Sequence, residues 1–207
     1  MSQMDKFNNK YRIASTRLQH WDYGWNAAYF VTICTKNRIC WFGNVADGRM
    51  VLSEIGEIAQ KCWIEIVEHF PFVKLDAFIV MPNHVHGIII IDKIDDERND
   101  GQNVETQYFA SPHMVSQMTP HMTPTELNKP QNQFGPQSKN LASIIRGFKI
   151  GVTKNARIIQ PDFAWQSRFH DHIIRDEQSY HTISKYIINN PLKWKEDTFH
   201  QMNQKKS

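Results

Sequence analysis

Two histidines stand one residue apart at the start of an apolar run, in the stretch FIVMPNHVHGIIIID at 78–92. If this run is a strand, His84 and His86 point to the same face, because side chains alternate along a strand. Two neutral imidazoles that converge from one strand could hold a divalent metal ion. Half-buried, hydrogen-bonded histidines are the commoner outcome for an isolated pair, so the metal interpretation needs a third ligand and a reactive group nearby.

A second pair of polar side chains follows near the end of the chain, in YIINNP. Tyr186 and Asn190 are four residues apart and would stack on one face of a helix. The phenol of a tyrosine can act as a covalent nucleophile, and an amide oxygen one turn away could complete a metal shell or orient a phosphate. The alternative for Tyr186 is a core aromatic, because Tyr180, Ile183 and Ile187 would form an apolar stripe beside it.

Hydrophobic periodicity indicates the elements that must position these four residues. Ser53 is the predicted N-cap of the first helix, which Pro71 ends, and Pro191 stops the last helix. In chain order the sequence predicts a strand at 27–36, a short strand at 49–53, a helix at 54–70, strands at 74–81 and 84–91, a helix at 141–157, an extended segment at 163–175 and a helix at 176–190. This order predicts an α+β fold, a ferredoxin-like βαββαβ antiparallel sheet with helices on one face, to which the last helix, carrying Tyr186, is an addition.

The region 92–140 interrupts this pattern. Acidic residues cluster at 92–100, and a polar tract rich in Gln, Asn and Pro follows. A structureless stretch of this length is uncommon inside a compact domain, so we predict a mobile surface insertion. For a chain of 207 residues we therefore expect an N-terminal extension at 1–22, one domain at 23–195 that carries the insertion, and a C-terminal tail at 196–207.

The net charge of +3 is unevenly distributed along the chain. Residues 141–207 hold eleven Lys or Arg against six Asp or Glu, whereas the first 140 residues hold thirteen against fifteen. A basic C-terminal third permits an anionic partner such as nucleic acid, although a solvated basic face gives the same composition.

Cysteine usage and apolar run length indicate the compartment. The three cysteines, Cys34, Cys40 and Cys62, form no CxxC pair, and the N-terminus lacks the apolar run of a secretory signal. These features indicate a reducing, cytoplasmic location. The longest aliphatic run, 87–91, is too short to span a bilayer, so we expect no membrane partner.

Four stretches occur in a fixed order along the chain: MPNHVHGIIII, IIRGFK, WQSRFHDHIIR and YIINNPLKW. Together they resemble the REP-associated tyrosine transposases, which belong to the single-tyrosine HUH transposases of the 200-like insertion sequences. HUH denotes His, bulky hydrophobe, His, and the run from His84 to His86 matches it. YFVTICTKNR and LSEIGEIAQKCW also fit that family. The resemblance covers roughly 23–194, and the chain departs from the family mainly in the insertion.

The resemblance implies a chemistry and a role for each of the four residues. It implies that His84 and His86 are metal ligands, that Asn190 is the third ligand and that Tyr186 is the nucleophile. The cofactor would be Mg²⁺ or Mn²⁺. The implied activity is cleavage and rejoining of single-stranded DNA, next to a hairpin, through a 5′-phosphotyrosine. The oligomeric state stays open, because related transposases form dimers and a monomer is the alternative for REP-associated ones.

Further residues near these motifs are predicted to contact the DNA. Arg and Lys side chains neutralise phosphates, and aromatic side chains stack on unpaired bases. The base that deprotonates the phenol is not identified; Lys185 points about 100° away from Tyr186 on a helix. The predicted phosphate contacts are Arg146, Lys149, Arg168, Arg175 and Lys193, and the candidate stacking residues, for which core packing is the alternative, are Trp165, Phe169 and Trp194.

Two other functions compete with strand transfer. One is a DNA-hairpin-binding protein that keeps the fold and does not cut. The other is a zinc-dependent hydrolase built on the HxH pair, which needs one more His, Asp or Glu ligand. His170 and His172, in FHDH, are the ordered candidates for that ligand. The set of His84, His86, Tyr186 and Asn190 favours strand transfer over hairpin binding without cutting.

Overall fold

The computed structural model describes residues 21–93, 138–197 and 199–200, together with the backbone of two short segments near the N-terminus. No helix within these ranges is both long and apolar enough to cross a bilayer. The elements in chain order are β1 (Lys6–Phe7), β2 (Lys10–Tyr11), β3 (Ala27–Cys34), β4 (Gly43–Ala46), β5 (Arg49–Leu52), α1 (Glu54–Ile64), α2 (Ile66–His69), β6 (Val73–Met81), β7 (His84–Ile91), α3 (Leu141–Ile159), β8 (His170–Ile174) and α4 (Glu177–Asn189), with 3-10 turns at Lys36–Arg38 and Pro191–Glu196.

The main sheet has four antiparallel strands in the order β6-β7-β3-β8. This order places the first core strand, β3, between the third and the fourth, as a ferredoxin-like βαββαβ connection requires. α1 and α3 pack together on one face over the large core, which contains Trp63, Ile144 and Phe148. α4 packs on the other face, where Ile187 joins Ile88 and Ile174 in a second, smaller apolar cluster. The predicted α+β class and antiparallel sheet are confirmed.

Alternation along β7 separates the two faces. Val85, Ile89 and Ile91 belong to the large core, whereas Ile88 belongs to the cluster under α4. Gly87 lies against the indole of Trp63, and a Cβ atom there would come within 2.2 Å of the ring. The absence of a side chain therefore lets α1 seat its tryptophan directly on the strand, at the residue that follows the HxH pair.

Several local predictions differ from the structure in detail. Ser53 caps α1 as predicted, accepting from the Gly56 N–H at 3.2 Å, but the helix is interrupted at Glu65. Within 163–175 only β8 is a strand, because the preceding residues turn and form a single bridge, from Trp165 to Thr35 just after β3. α4 ends at Asn189, before Pro191, as predicted, and Pro191 then opens a 3-10 turn, since its fixed φ suits a first helical position.

The boundaries predicted for the insertion were too wide, because both ends belong to the fold. Asp92 forms an ion pair with Lys74 on β6, and its N–H donates to the Phe72 carbonyl at 2.8 Å. Asn140 caps α3, accepting from the Ser143 N–H at 2.9 Å. The remainder, 94–137, lies outside the described residues, and so does the prediction that it is mobile.

Replacing 94–137 by a short Gly/Ser linker is expected to preserve cooperative unfolding. Lys93 is paired with Asn26 through two hydrogen bonds of 2.8 and 3.0 Å. The Leu141 N–H donates to the Tyr23 carbonyl at 2.9 Å. The short segment 23–26 therefore anchors the chain on both sides of 94–137. Loop-closure entropy favours the shorter connection by about 2 kcal/mol. Urea unfolding of both proteins measures this; a broad, non-cooperative transition in the shortened chain would contradict it.

Candidate active site

His84 and His86 lie side by side on the face of β7 that looks toward α4. Both are buried, at 0% and 1% exposure, and their ring centroids are 4.4 Å apart. Across the sheet they stand opposite Cys34 and Thr32 of β3. Because side chains alternate along β7, both imidazoles lie on the same face of the sheet.

Asn83 fixes the protonation pattern of His84. Its Nδ2 donates to two main-chain carbonyls, those of Arg38 and Phe199, each at 3.1 Å. This orients the amide so that Oδ1 faces the imidazole, and the His84 Nδ1–H donates to it at 2.8 Å. The His84 Nε2 therefore carries a lone pair, and it is buried without a hydrogen-bond partner.

The two ring nitrogens of His86 have partners that differ from those of His84. Its Nδ1 lies 2.9 Å from Thr32 Oγ1, and its Nε2 lies 3.3 Å from the hydroxyl of Tyr186. In both histidines Nδ1 is held by a side chain of the sheet or its connecting turn, which leaves Nε2 as the candidate ligand atom.

Both imidazoles are neutral at physiological pH. Burial lowers the pKa of His84 well below its usual range, with further lowering from His86 and Arg38. Burial, then electrostatic effects of Arg38 and His170, lower the pKa of His86 to about 3. Neutral imidazole is the form that binds a metal ion.

Tyr186 and Asn190 approach the histidines from α4 and its C-terminal cap. The Tyr186 ring is 5.3 Å from that of His86 and 44% exposed, whereas Asn190 is 2% exposed. Burial and the nearby Asp197 carboxylate raise the pKa of the Tyr186 hydroxyl, against an opposing interaction with the Asn190 amide. Tyr180 packs instead against the small cluster under α4. The structure therefore brings Tyr186 to the histidine pair, with the buried Asn190 one helical turn further on, and does not place Tyr186 in a core stripe.

The donor set fits a divalent metal ion with mixed nitrogen and oxygen preference. Asn190 Oδ1 and His84 Nε2 are both buried without a hydrogen-bond partner. Buried polar atoms normally have such a partner, and a bound metal ion would supply one. Two imidazole nitrogens and one amide oxygen suit Mn²⁺ and accept Mg²⁺. Within the described ranges no three His, Cys, Asp or Glu side chains are grouped to hold a metal. His170 and His172 are exposed on β8 and supply no third ligand of that kind.

The chain beyond α4 returns to the histidines, which the sequence analysis missed. The Phe199 ring lies 4.6 Å from that of His84 and 6.1 Å from that of His86. Its N–H donates to Asp197 Oδ1 at 2.8 Å, which closes a turn after the last 3-10 segment. A single aromatic in a polar tail carries no periodic signal, so this position could not be inferred from the sequence.

A groove of about 590 Å³ opens beside Tyr186. Lys185 lines this groove, although its side chain was expected to point about 100° away from Tyr186 on the helix. Lys193, one of the predicted phosphate contacts, also lines it. The groove is also acidic at one end. Its lining residues are Thr182, Lys185, Tyr186, Asn189, Asn190, Lys193, Glu196 and Asp197.

The other predicted DNA contacts are spread over the molecule. Arg168 and Arg175 are exposed before and after β8, and Arg146 is exposed on α3, across the sheet from the histidines. Lys149 donates to the carbonyls of Gln166 and Arg168 at 2.7 and 3.2 Å, and burial lowers its pKa to about 8 against an opposing effect of Cys34. It therefore holds the segment before β8 in place. The candidate stacking residues Trp165 and Phe169 pack against the large core, and Trp194 is buried.

Comparison with known proteins gives a consistent group of relatives. No protein-family model matches the chain. A Haemophilus influenzae protein described as uncharacterized is 38% identical over 185 residues, which span 88% of this chain and 90% of that protein. A second H. influenzae protein, named "Putative REP-associated tyrosine transposase", is 22% identical over 189 residues, 87% of this chain and 84% of its own length. A solved REP-associated tyrosine transposase bound to a REP hairpin has the same fold, with a TM-score of 0.52 at 18% identity over 87% of this chain and 74% of that chain.

Proposed function

We propose that this chain is a REP-associated tyrosine transposase, which cleaves single-stranded DNA and transfers the cut strand through a covalent bond to Tyr186. One observation carries the proposal. The Tyr186 hydroxyl lies 3.3 Å from His86 Nε2, and His84 Nε2 and Asn190 Oδ1 are both buried without partners. A nucleophile beside atoms that can bind a metal ion is the minimum apparatus for phosphoryl transfer.

His84, His86 and Asn190 would hold the cofactor, Mg²⁺ or Mn²⁺. When bound, such an ion supplies positive charge to a non-bridging phosphate oxygen and to the departing 3′-oxygen. Nε2 is the candidate ligand atom on both rings, and both rings are neutral, which is the form that binds a metal ion. Asn83 and Thr32 hold the two rings by their Nδ1 atoms, which fixes their orientation without occupying the binding nitrogens.

Tyr186 performs the covalent step. Its oxygen forms a bond to phosphorus while the bond to the 3′-oxygen breaks, which leaves a 5′-phosphotyrosine and a free 3′-hydroxyl. Burial raises the pKa of the phenol, so it is protonated at neutral pH and its proton must depart as the bond forms. The covalent link retains the energy of the phosphodiester, so the 3′-hydroxyl of another strand can reverse the step and join.

The DNA would enter along the groove beside Tyr186. Lys185 and Lys193 line it and provide positive charge next to the half-exposed phenol. We propose single-stranded DNA next to a hairpin as the substrate, since a relative of the same fold is bound to a REP hairpin. The reaction would take place in the cytoplasm, with the three cysteines reduced; all three are free thiols in the structure.

The test is a covalent-adduct assay. Full-length protein is incubated with Mn²⁺ or Mg²⁺ and labelled oligonucleotides that carry a hairpin and a single-stranded flank, and the products are separated under denaturing conditions. Strand transfer predicts a metal-dependent protein–DNA band. Hairpin binding without an adduct would favour the non-cutting alternative. A protein that binds zinc tightly and no DNA would favour the hydrolase.

Asn83→Ala is expected to weaken Mn²⁺ binding by about 10- to 100-fold, because His84 loses the acceptor that fixes its ring and tautomer. Asn83→Asp keeps an acceptor at Nδ1 and should retain more of the affinity. Asn155→Ala, which removes an exposed amide on α3, is the matched control and should bind as the wild type does. Calorimetric titration with Mn²⁺ measures all three. Equal affinities for Asn83→Ala and the wild type would contradict the orienting role.

A further inference from the structure

Arg38 lies on a strained loop that is fastened to the histidine strand. Asn37 and Arg38 both have left-handed backbones, with φ of 56° and 59°. Such residues without glycine are disfavoured by roughly 1 kcal/mol or more each, and persist where the surroundings hold them. Here the Arg38 carbonyl accepts from the side chain of Asn83, the residue before His84. The loop that carries Arg38 is thereby locked to the residue that orients a metal ligand.

The guanidinium group is held next to the histidine pair. Its Cζ is 3.9 Å from the centroid of the Phe199 ring, and that ring is 4.6 Å from the ring of His84. The same charge contributes to the lowered pKa values of both histidines. The positive charge of Arg38 therefore acts on the space in front of the candidate metal ligands.

One nitrogen of this guanidinium is unsatisfied. Arg38 Nη1 is buried and has no hydrogen-bond partner, and within the described residues Arg38 forms no ion pair. A buried donor on a charged group costs free energy when it has no acceptor. The presence of such a donor at a strained position therefore implies that a bound molecule supplies the acceptor. An anion satisfies both the charge and the donor.

We propose that Arg38 binds the phosphate that Tyr186 attacks, an inference that rests on the proposed function. Guanidinium groups suit phosphate because they remain charged and present several donors in one plane. As the Tyr186–phosphorus bond forms and the bond to the 3′-oxygen breaks, the phenol proton ends on the 3′-hydroxyl, and Arg38 exchanges no proton. Its role is to neutralise charge on the non-bridging oxygens during the transfer.

Two variants separate charge from geometry. Arg38→Gln removes the charge, whereas Arg38→Lys keeps a charge but loses the planar donor array. Lys61→Gln removes one exposed positive charge from α1, on the opposite side of the sheet, and serves as the control. Phe199→Leu removes the ring under the guanidinium and tests whether Arg38 acts only by packing on it.

The first measurement needs no DNA. Inorganic phosphate is titrated into the full-length ¹⁵N-labelled protein without divalent metal, and the Arg38 Nε–Hε signal is identified by its loss in Arg38→Lys. The signal should shift saturably, with a Kd on the order of millimolar, as expected for a single small anion. Phe199→Leu should keep this response. An Arg38 signal indifferent to phosphate, or a response that disappears in Phe199→Leu, would overturn the proposal.

The second measurement uses the hairpin oligonucleotides of the adduct assay at saturating concentration. Arg38→Gln should form the adduct about 10²- to 10³-fold more slowly, with Arg38→Lys intermediate and Lys61→Gln unchanged. DNA affinity should change only a few-fold, because one phosphate contact among many is lost. An Arg38→Gln adduct rate equal to wild type would also overturn the proposal. If phosphate shifts the Arg38 signal but the wild type forms no adduct, the phosphate site stands and strand transfer fails.

Discussion

Tyr186→Phe is expected to eliminate the covalent protein–DNA adduct while single-stranded DNA still binds with near-normal affinity. The change removes one oxygen and keeps the ring, whose edge contacts Phe30 and His86. The folded protein loses the 3.3 Å hydrogen bond to His86 and the interaction of the hydroxyl with Asn190, so the free energy of unfolding should fall by about 1 kcal/mol. Denaturing gels report the adduct, and fluorescence anisotropy reports binding.

Tyr180→Phe is the matched control and should retain the adduct. Tyr180 lies on the same helix but packs against the small cluster formed with Ile88, Ile174 and Ile187. Six residues on a helix correspond to about 600°, which separates the two phenols by about 120° around the axis. A phosphotyrosine mapped by mass spectrometry to any residue other than Tyr186 would refute the assignment, whatever the rate of the Phe variant.

The residues that share one element could be predicted because regular backbone geometry fixes their relation. Two histidines at alternate positions of an apolar strand must share a face, and a tyrosine and an asparagine four apart must stack on a helix. The βαββαβ order then constrains the topology, and the sheet order of the structure agrees with it. What the sequence alone left open was whether α4 would bring Tyr186 to the histidines, since that depends on packing between distant elements.

Contacts between distant segments explain what the sequence analysis missed. Asn83 lies between two predicted strands, and its role emerges only from its bonds to the carbonyls of Arg38 and Phe199. Arg38 itself lies in a short loop without periodicity. Lys149 was assigned to DNA as a basic residue near the motifs, although two carbonyls of the chain before β8 accept hydrogen bonds from its ammonium group. Periodicity predicts which way a side chain points, and not which loop will fold over it.

His84→Ala and His86→Ala are expected to abolish metal-dependent cleavage, because each removes one of two buried nitrogens in the proposed ligand set. Mn²⁺ affinity measured by calorimetry should fall at least about 100-fold in each. His69→Ala, which removes an exposed imidazole at the end of α2, is the control and should leave Mn²⁺ binding and cleavage unchanged. Normal cutting by both variants in the presence of Mn²⁺ would place the metal site elsewhere.

Acid stability supplies a readout of the same two side chains that does not depend on activity. Burial keeps both imidazoles neutral in the folded protein, and the pKa of His86 falls from 6.5 to about 3. The unfolded chain therefore binds more protons than the folded one below pH 6.5, and stability falls as the pH drops from 6.5 toward 3. Each alanine variant loses some stability at neutral pH, because a cavity replaces a buried ring. It should nevertheless lose less than the wild type on acidification, and urea unfolding at pH 7 and pH 5 measures the difference. An equal acid sensitivity in the wild type and both variants would mean that these histidines are not the buried neutral pair that metal binding at this strand requires.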